Sequence, residues 1–250
     1  MKLILRADDL GFSDGVSLGI VKAVKDGVIT SVGMMSNMEG ATFGYECIKD
    51  YDIALGLHSN ICAGRPVSDP TLIPSLVNEQ GEFCSSKEIR SREVDTVVLQ
   101  EAEMEVEAQL NRFIEITGKK PDYLEGHAVM SKNFFKAIRN IAEKYDIFFD
   151  NPIFDPDWEK ETDIIGFPFP AFDQKGLYDP KKFMNDHLST LQEHRVGIAV
   201  FHPGYLDQYI LDQSSFTLIR PMECEFLCSD WIKGWIKDHQ IQLIDFRDLK

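Results

Sequence analysis

The chain reads as an α/β protein whose parallel strands curl into an irregular (β/α) barrel, one domain over 250 residues. Three observations predict this. Strand and helix patterns alternate along nearly the whole length, as in βαβ units around a parallel sheet. Four apolar runs reach Asp or His: Leu3 to Asp9, Ile53 to Asn60 through His58, Asp122 to His127, and Val196 to Gly204 through His202. A barrel gathers its polar chemistry at the carboxyl ends of its strands, and these runs supply such ends. A hydrophobic fraction of 44% over this length is also enough for one sizeable core.

Each element has a local reason. Residues 2–7 form an apolar, buried strand, and Ser13 or Asp14 caps a helix carrying Val16, Ile20, Val21 and Val24 until Asp26-Gly27 ends it. Val32 to Met35 is a second strand, Ala41 to Lys49 a short helix, and Ile53 to His58 a third strand. Residues 61–91 hold Gly64, Pro66, Pro70, Pro74 and Gly81 without a sustained period. That is longer than an ordinary βα connection, so it reads as an insertion at the strand ends: a substrate loop or lid, or else a solvated or subunit-contacting loop.

Glu93 to Ile116 reads as a long acidic amphipathic helix with an apolar stripe from Val94 through Ile114. Its run of Glu101, Glu103, Glu105 and Glu107 alternates around the helix and reads as a solvated face. Gly118 closes the helix, a strand runs to His127, Asn133 to Tyr145 is helical, and Ile147 to Phe149 is a short strand before Asp150. Between 151 and 180 five prolines weaken the pattern, with Asp163 to Phe167 the only strand-like piece, so the barrel is expected to be irregular there. A helix over 181–193, a strand over 196–201, helices at about 216–228 and 230–238, and a strand over 241–244 beside the first strand complete the chain.

Charge narrows the partners. With 41 acidic against 26 basic residues the formal net charge is -15, which disfavours nucleic acid and anionic membrane and favours a small, weakly charged substrate. Five cysteines form no C-x-x-C pair, and their odd number gives no disulfide framework, pointing to a reducing cytoplasm. Cys224 and Cys228, one helical turn apart, are a metal clip or two idle thiols. No signal-peptide core and no apolar run long enough for a membrane span is visible, so a cytoplasmic location is expected.

Asp8 and Asp9 are adjacent at a strand end, where successive side chains take opposite faces. One can bind a cation while the other accepts a proton from water that the cation acidifies; alternatively the pair caps the turn at Gly11. His58 and His127 each close an apolar strand, and singly either would be a structural histidine. Together with one carboxylate they make a three-ligand set with open positions, as a catalytic metal requires. His202, ahead of Pro203-Gly204, has an unperturbed pKa of about 6.5 and suits proton donation to a leaving amine, with a fourth-ligand or turn role as alternatives. His187, His194 and His239 read as surface residues. The whole reads as a metal-dependent hydrolase.

Arg6-Ala7-Asp8-Asp9-Leu10-Gly11, Gly56-Leu57-His58, Gly126-His127 and His202-Pro203-Gly204, with Arg220 and Glu223 downstream, resemble the YdjC-like carbohydrate deacetylase family, which includes chitooligosaccharide deacetylases. The resemblance spans nearly the whole chain. It implies an irregular TIM-type barrel that removes acetyl groups from N-acetylated sugars such as chitobiose, with one divalent metal ion, magnesium by the resemblance and zinc by the softness of the ligands. It also implies Asp9, His58 and His127 as metal ligands, Asp8 as the base that deprotonates metal-bound water for attack on the amide carbonyl, and His202 as acid or transition-state stabiliser.

Arg220 becomes a second-shell or substrate-positioning candidate under the same resemblance, although Arg220 and Glu223, three apart, equally suit an ion pair on one helix. Phe12, Tyr205, Phe167, Phe169 and Phe172 near the rim suit stacking on a pyranose ring or plain packing, with Tyr205 also a substrate-binding candidate. One departure bears on the substrate: many members carry further histidines where Ala128-Val129-Met130 follow His127. Glu125, on the same strand face as His127, could contribute in place of those histidines to the sugar site or the surroundings of the metal, but reads first as a packing or loop residue.

Two other functions fit the residues less well. Metal-assisted phosphoester cleavage wants a second metal or several cations around a phosphate, and few lie near the motifs. A non-catalytic sugar-binding or regulatory barrel would show a lost catalytic group, and none is lost. The partner expected is a small N-acetylated saccharide, and the long loop is compatible with a homodimer.

Overall fold

In the computed structural model, which describes residues 1–150 and 160–249, the central strand β1 (Lys2–Leu10) is buried from its second residue onward. Parallel neighbours flank it: β2 (Ser31–Met34) and β3 (Ala54–Ser59) on one side, β7 (Val196–Phe201) and β6 (Ile164–Gly166) on the other. Beyond β3 lie β4 (Tyr123–Gly126) and β5 (Phe148–Phe149), and β8 (Gln242–Leu243) pairs with Lys2 and Leu3 at the amino end of β1. The last strand therefore lies beside the first, as its sequence position predicts. Among the described residues β5 and β6 do not pair, so the sheet is a barrel left open between them.

Alternation along the strands divides the molecule. Leu3, Leu5 and Ala7 face the helices and join the main core, while Ile4 faces inward into a smaller cluster with Tyr123, Ile198, Ile244 and Phe246. Tyr123 stacks on Phe246 with ring centroids 3.8 Å apart and plugs the amino end of the barrel. Gly56 makes room for this: a Cβ there would lie 2.3 Å from the Tyr123 ring. Arg6, Asp8, His58 and Glu125 stand above the plug on the inward face, so the carboxyl end is lined by polar groups.

The helices follow the predicted order: α1 (Asp14–Lys25), α2 (Ala41–Ile48), α3 (Ser86–Ser91), α4 (Leu99–Thr117) and α5 (Lys132–Tyr145), then α6 (Pro180–Asp186) and α7 (Leu188–Glu193), α8 (Gln208–Gln213), α9 (Ile219–Cys228) and α10 (Asp230–Asp238). Ser13 caps α1 by accepting the Val16 N–H, as its type predicts. Four features differ from the sequence expectation, the first being α3, which lies inside the stretch 61–91 read as irregular. The helix expected from Glu93 begins at Leu99, because Asp95 turns to the start of α5 and accepts from Ser131 and the Asn133 N–H. The helix expected over 181–193 breaks at His187, and α8 was not legible. Of the irregular stretch 151–180, residues 151–159 lie outside the described residues.

The acidic ladder of α4 is not a solvated face. Glu105 is fully buried and accepts the backbone N–H groups of Val67 and Ser68, at 3.0 and 2.9 Å, and the Gln109 amide. Glu101 accepts the Ser75 N–H, and Gln109 brackets the backbone of Asn60 from both sides. The insertion over 61–91 is thus tied to α4, and its residues Cys62, Ala63, Ser86 and Arg90 form one wall of the cavity at the strand ends.

Candidate metal centre and active site

Strict alternation would send Asp8 and Asp9 to opposite faces. The register of β1 against β2 shifts between Ala7 and Leu10, and Asp9 takes φ +78°, a conformation costing about 1–3 kcal/mol for a residue with a side chain. This bulge turns both carboxylates into the cavity. Asp9 Oδ1 then lies 3.2 Å from His58 Nε2, at the end of β3, and 3.2 Å from His127 Nδ1, just past β4. The two imidazole nitrogens are 2.9 Å apart.

This triangle has no satisfactory arrangement of protons. Asp9 Oδ1 is buried and makes no hydrogen bond of good geometry. Two N–H groups cannot face each other at 2.9 Å, so only one of the facing nitrogens can carry a proton. Burial opposes protonation of both rings. Glu125 and Asp8 nevertheless raise His58 well above its ordinary value, and Cys62 and Asp9 raise His127 to about 9. A cation accepting all three lone pairs removes the conflict, and donors about 3 Å apart are what metal–ligand bonds of about 2 Å produce. The residues fit a divalent metal ion.

Surrounding groups hold the three donors. Arg220 Nη2 binds Asp9 Oδ2 at 2.8 Å, leaving Oδ1 free; burial pushes the Asp9 carboxyl up, but Arg220 and His127 outweigh it and hold it well below the usual carboxylate range. Glu125 Oε1 meets His58 Nδ1. Arg6 grips Asp8 with Nε on Oδ1 at 2.8 Å and Nη2 on Oδ2 at 2.9 Å, contacts Asp150, and lies 3.6 Å from Glu125. Burial raises Asp8, yet Arg6, His58 and His202 bring it below its ordinary value. Asp150 is pushed up to about 7 by burial. With both imidazoles neutral, as metal ligands must be, the buried carboxylates around the triangle outnumber Arg6 and Arg220, an imbalance that a bound cation offsets.

Asp8, His58 and Glu125 form a second cluster close enough for a cation, but Arg6 and the His58–Glu125 contact already occupy its donor atoms. The expected Arg220–Glu223 pair is absent: Arg220 reaches Asp9, while Glu223 accepts the His202 backbone N–H and the Tyr178 hydroxyl, the latter at 2.7 Å. One turn of α9 therefore supports both a candidate ligand and the loop carrying His202. Burial lifts the Glu223 carboxyl to about 7.

The cavity measures about 580 Å³ and is lined by Asp8, Asp9, His58, His127, His202 and Arg220 together with Phe12, Phe169, Phe172 and Phe216. The His202 ring sits between Phe169 and Phe216, at 5.8 and 5.1 Å between centroids, and burial lowers its pKa to about 4 against the pull of Asp9 and Asp8. Tyr205 does not line the cavity; its N–H bonds the Gly15 carbonyl and its side chain is 41% exposed. Phe167 is also turned away, buried against Phe183 and His187. Arg6, Phe216 and Asp150 were given no site role from the sequence, and Glu125 was read mainly as a packing or loop residue. Glu125 carried one signal, its i, i+2 spacing from His127 on one strand face.

The chain is similar to known proteins along nearly its whole length. A carbohydrate deacetylase of Brevibacillus brevis is 31% identical over 255 residues, covering 100% of both chains. Carbohydrate deacetylase 2 of Listeria innocua is 29% identical over 264 residues, covering 100% of this chain and 99% of its own. The fold is shared with an Enterococcus faecalis structure described as a cellobiose-phosphate cleavage protein, at TM-score 0.85 and 24% identity over 99% of this chain and 98% of that one. The family model for YdjC-like proteins matches residues 2–238, and the chain belongs to that family.

Proposed function

We propose that this protein is a metal-dependent hydrolase that removes acetyl groups from small N-acetylated saccharides of the chitooligosaccharide type. The observation that carries the reading is the triangle of Asp9 Oδ1, His58 Nε2 and His127 Nδ1 in a cavity that also holds Asp8 and His202. The kinship with carbohydrate deacetylases supports the same chemistry.

Asp9, His58 and His127 would hold the ion, zinc by the softness of two imidazoles and one carboxylate, magnesium by the family resemblance. Bound there, it supplies Lewis-acid polarisation of the amide carbonyl and acidifies water. Asp8, kept ionised and aimed by Arg6, takes a proton from the attacking water. Water oxygen bonds to the carbonyl carbon, the carbon–nitrogen bond breaks, and the amine leaves with a proton while acetate remains. His202 is the proposed proton carrier: neutral in the free protein, it takes up the proton that Asp8 removed from water, a step that Asp8, Asp9 and the charge developing on the carbonyl oxygen favour, and passes it to the departing amine.

Phe12, Phe169, Phe172 and Phe216 offer apolar faces for pyranose rings. The free state of all five cysteines suits a reducing cytoplasm, and among the described residues no helix is long and apolar enough to cross a membrane. The test is acetate release from a panel of N-acetylated mono- and oligosaccharides by metal-loaded protein. Asp8→Asn is expected to lower turnover by at least 100-fold with metal still bound, since general-base catalysis contributes about 10²–10⁴-fold. No release across the panel by a metal-loaded wild type would overturn the assignment.

A further inference from the structure

His58 and Glu125 are direct neighbours across two parallel strands. The register pairs Leu57 with Leu124, His58 with Glu125 and Ser59 with Gly126, so both side chains leave the sheet on its inward face at the same height. Both residues are 2% exposed. Glu125 Oε1 contacts His58 Nδ1, and the opposite nitrogen of the same ring, Nε2, faces Asp9 Oδ1 and His127 Nδ1. Room for this pair comes from β2: a Cβ on Gly33 would lie 2.9 Å from Glu125 Oε1, 3.0 Å from Asp8 Oδ1 and 3.2 Å from the His58 Cβ.

We propose that Glu125 is a positioning residue of the metal centre: it accepts the Nδ1–H of His58, fixing that tautomer and ring orientation so that Nε2 is the ligand. The inference rests on the metal-centre reading above. With the Glu125 carboxylate oxygen as acceptor at this contact, the proton lies on Nδ1 and the lone pair on Nε2. A carboxylate behind a ligating imidazole also makes the ligand more basic, and removing such a partner lowers metal affinity by about 10–100-fold. His127 has the opposite polarity, with Nδ1 toward Asp9. The two histidines are thus distinguishable: His58 ligates through Nε2 and His127 through Nδ1.

Removal of Glu125 leaves Arg6 paired with Asp8 and Asp150, so no buried cation loses its last partner. The experiment is calorimetric titration of chelator-treated full-length protein with Zn²⁺ alone, for the wild type, Glu125→Gln and Glu125→Met. The spectra of ¹⁵N-labelled histidine rings are recorded in the Zn²⁺-loaded forms, and melting temperatures in the metal-free forms. The wild type is expected to bind one ion, with one ring protonated on Nδ1 and ligated through Nε2 and the other reversed.

Glu125→Met is expected to weaken Zn²⁺ binding 10–100-fold, with Glu125→Gln between it and the wild type because an amide oxygen can still accept the Nδ1–H. Melting temperatures that stay within a few degrees separate this loss from a merely structural one. Variants within twofold of the wild type, or wild-type spectra showing both rings ligated through Nδ1, overturn the proposal while leaving the metal centre intact. The wild-type spectra decide the matter even where a variant fails to fold. A wild type that binds no Zn²⁺ overturns the metal-centre reading, and this proposal with it.

Discussion

Asp9 is constrained in three ways at once. Its positive φ, its Arg220 partner and its unbonded Oδ1 leave one oxygen facing two imidazole nitrogens inside a buried site. Asp9→Ala, His58→Ala and His127→Ala are each expected to abolish stoichiometric metal binding while far-ultraviolet circular dichroism stays close to wild type. Metal analysis of the purified variants checks this, and stoichiometric metal in all three contradicts the ligand set. His202 gives a test by pH. Its folded-state pKa of about 4 lies below the unfolded value of about 6.5, so the unfolded chain binds more protons between those values. Stability therefore falls as pH drops through that window. His202→Gln is expected to flatten the fall, read as the slope of urea-unfolding midpoints from pH 7 to pH 4, and an unchanged slope contradicts a buried neutral imidazole.

At the scale of elements, the tie between α4 and the insertion makes the cavity wall a fixed part of the fold. Glu105→Ala removes the acceptor of two backbone N–H groups and is expected to cost about 1–3 kcal/mol, because hydrogen bonds to charged groups are worth about 1.5–3 kcal/mol each and exposed backbone rehydrates. Limited proteolysis should then cut within 61–91 faster than in the wild type. Cleavage at the wild-type rate would show that the loop is held by other contacts. Strand order, most of the helices, and the strand ends that carry Asp8, Asp9, His58, His127 and His202 were legible because an apolar run closing on a polar group is a local pattern, whereas the short helices α3 and α8 were not. Partners across strands were not. Glu125 meets His58 through sheet register, Asp150 meets Arg6 across the barrel interior, and Glu105 meets the insertion, and periodicity within one segment encodes none of these. The bulge at Asp9 was hidden for another reason: Asp takes positive φ more readily than most residue types, but that leaning does not single out one aspartate in the chain. The start of α4 was misplaced because Val94, Val97 and Val98 continue the apolar spacing into an extended segment.

The whole molecule concentrates its charge as well as its shape. A chain of net charge -15 buries a cluster of carboxylates at the carboxyl end of a parallel sheet, commits both buried arginines to them, and leaves one triangle of donors for a cation. That arrangement attracts metal, and among the described residues the two buried guanidiniums are each engaged by carboxylates, Arg6 by Asp8 and Asp150 and Arg220 by Asp9. The most direct measurement follows acetate release from diacetylchitobiose by the same protein as purified, after chelation, and after one equivalent of Zn²⁺ or Mg²⁺ is restored. Activity that disappears with the chelator and returns with one equivalent of metal is the predicted result. Acetate release that persists in fully chelated protein would contradict the account.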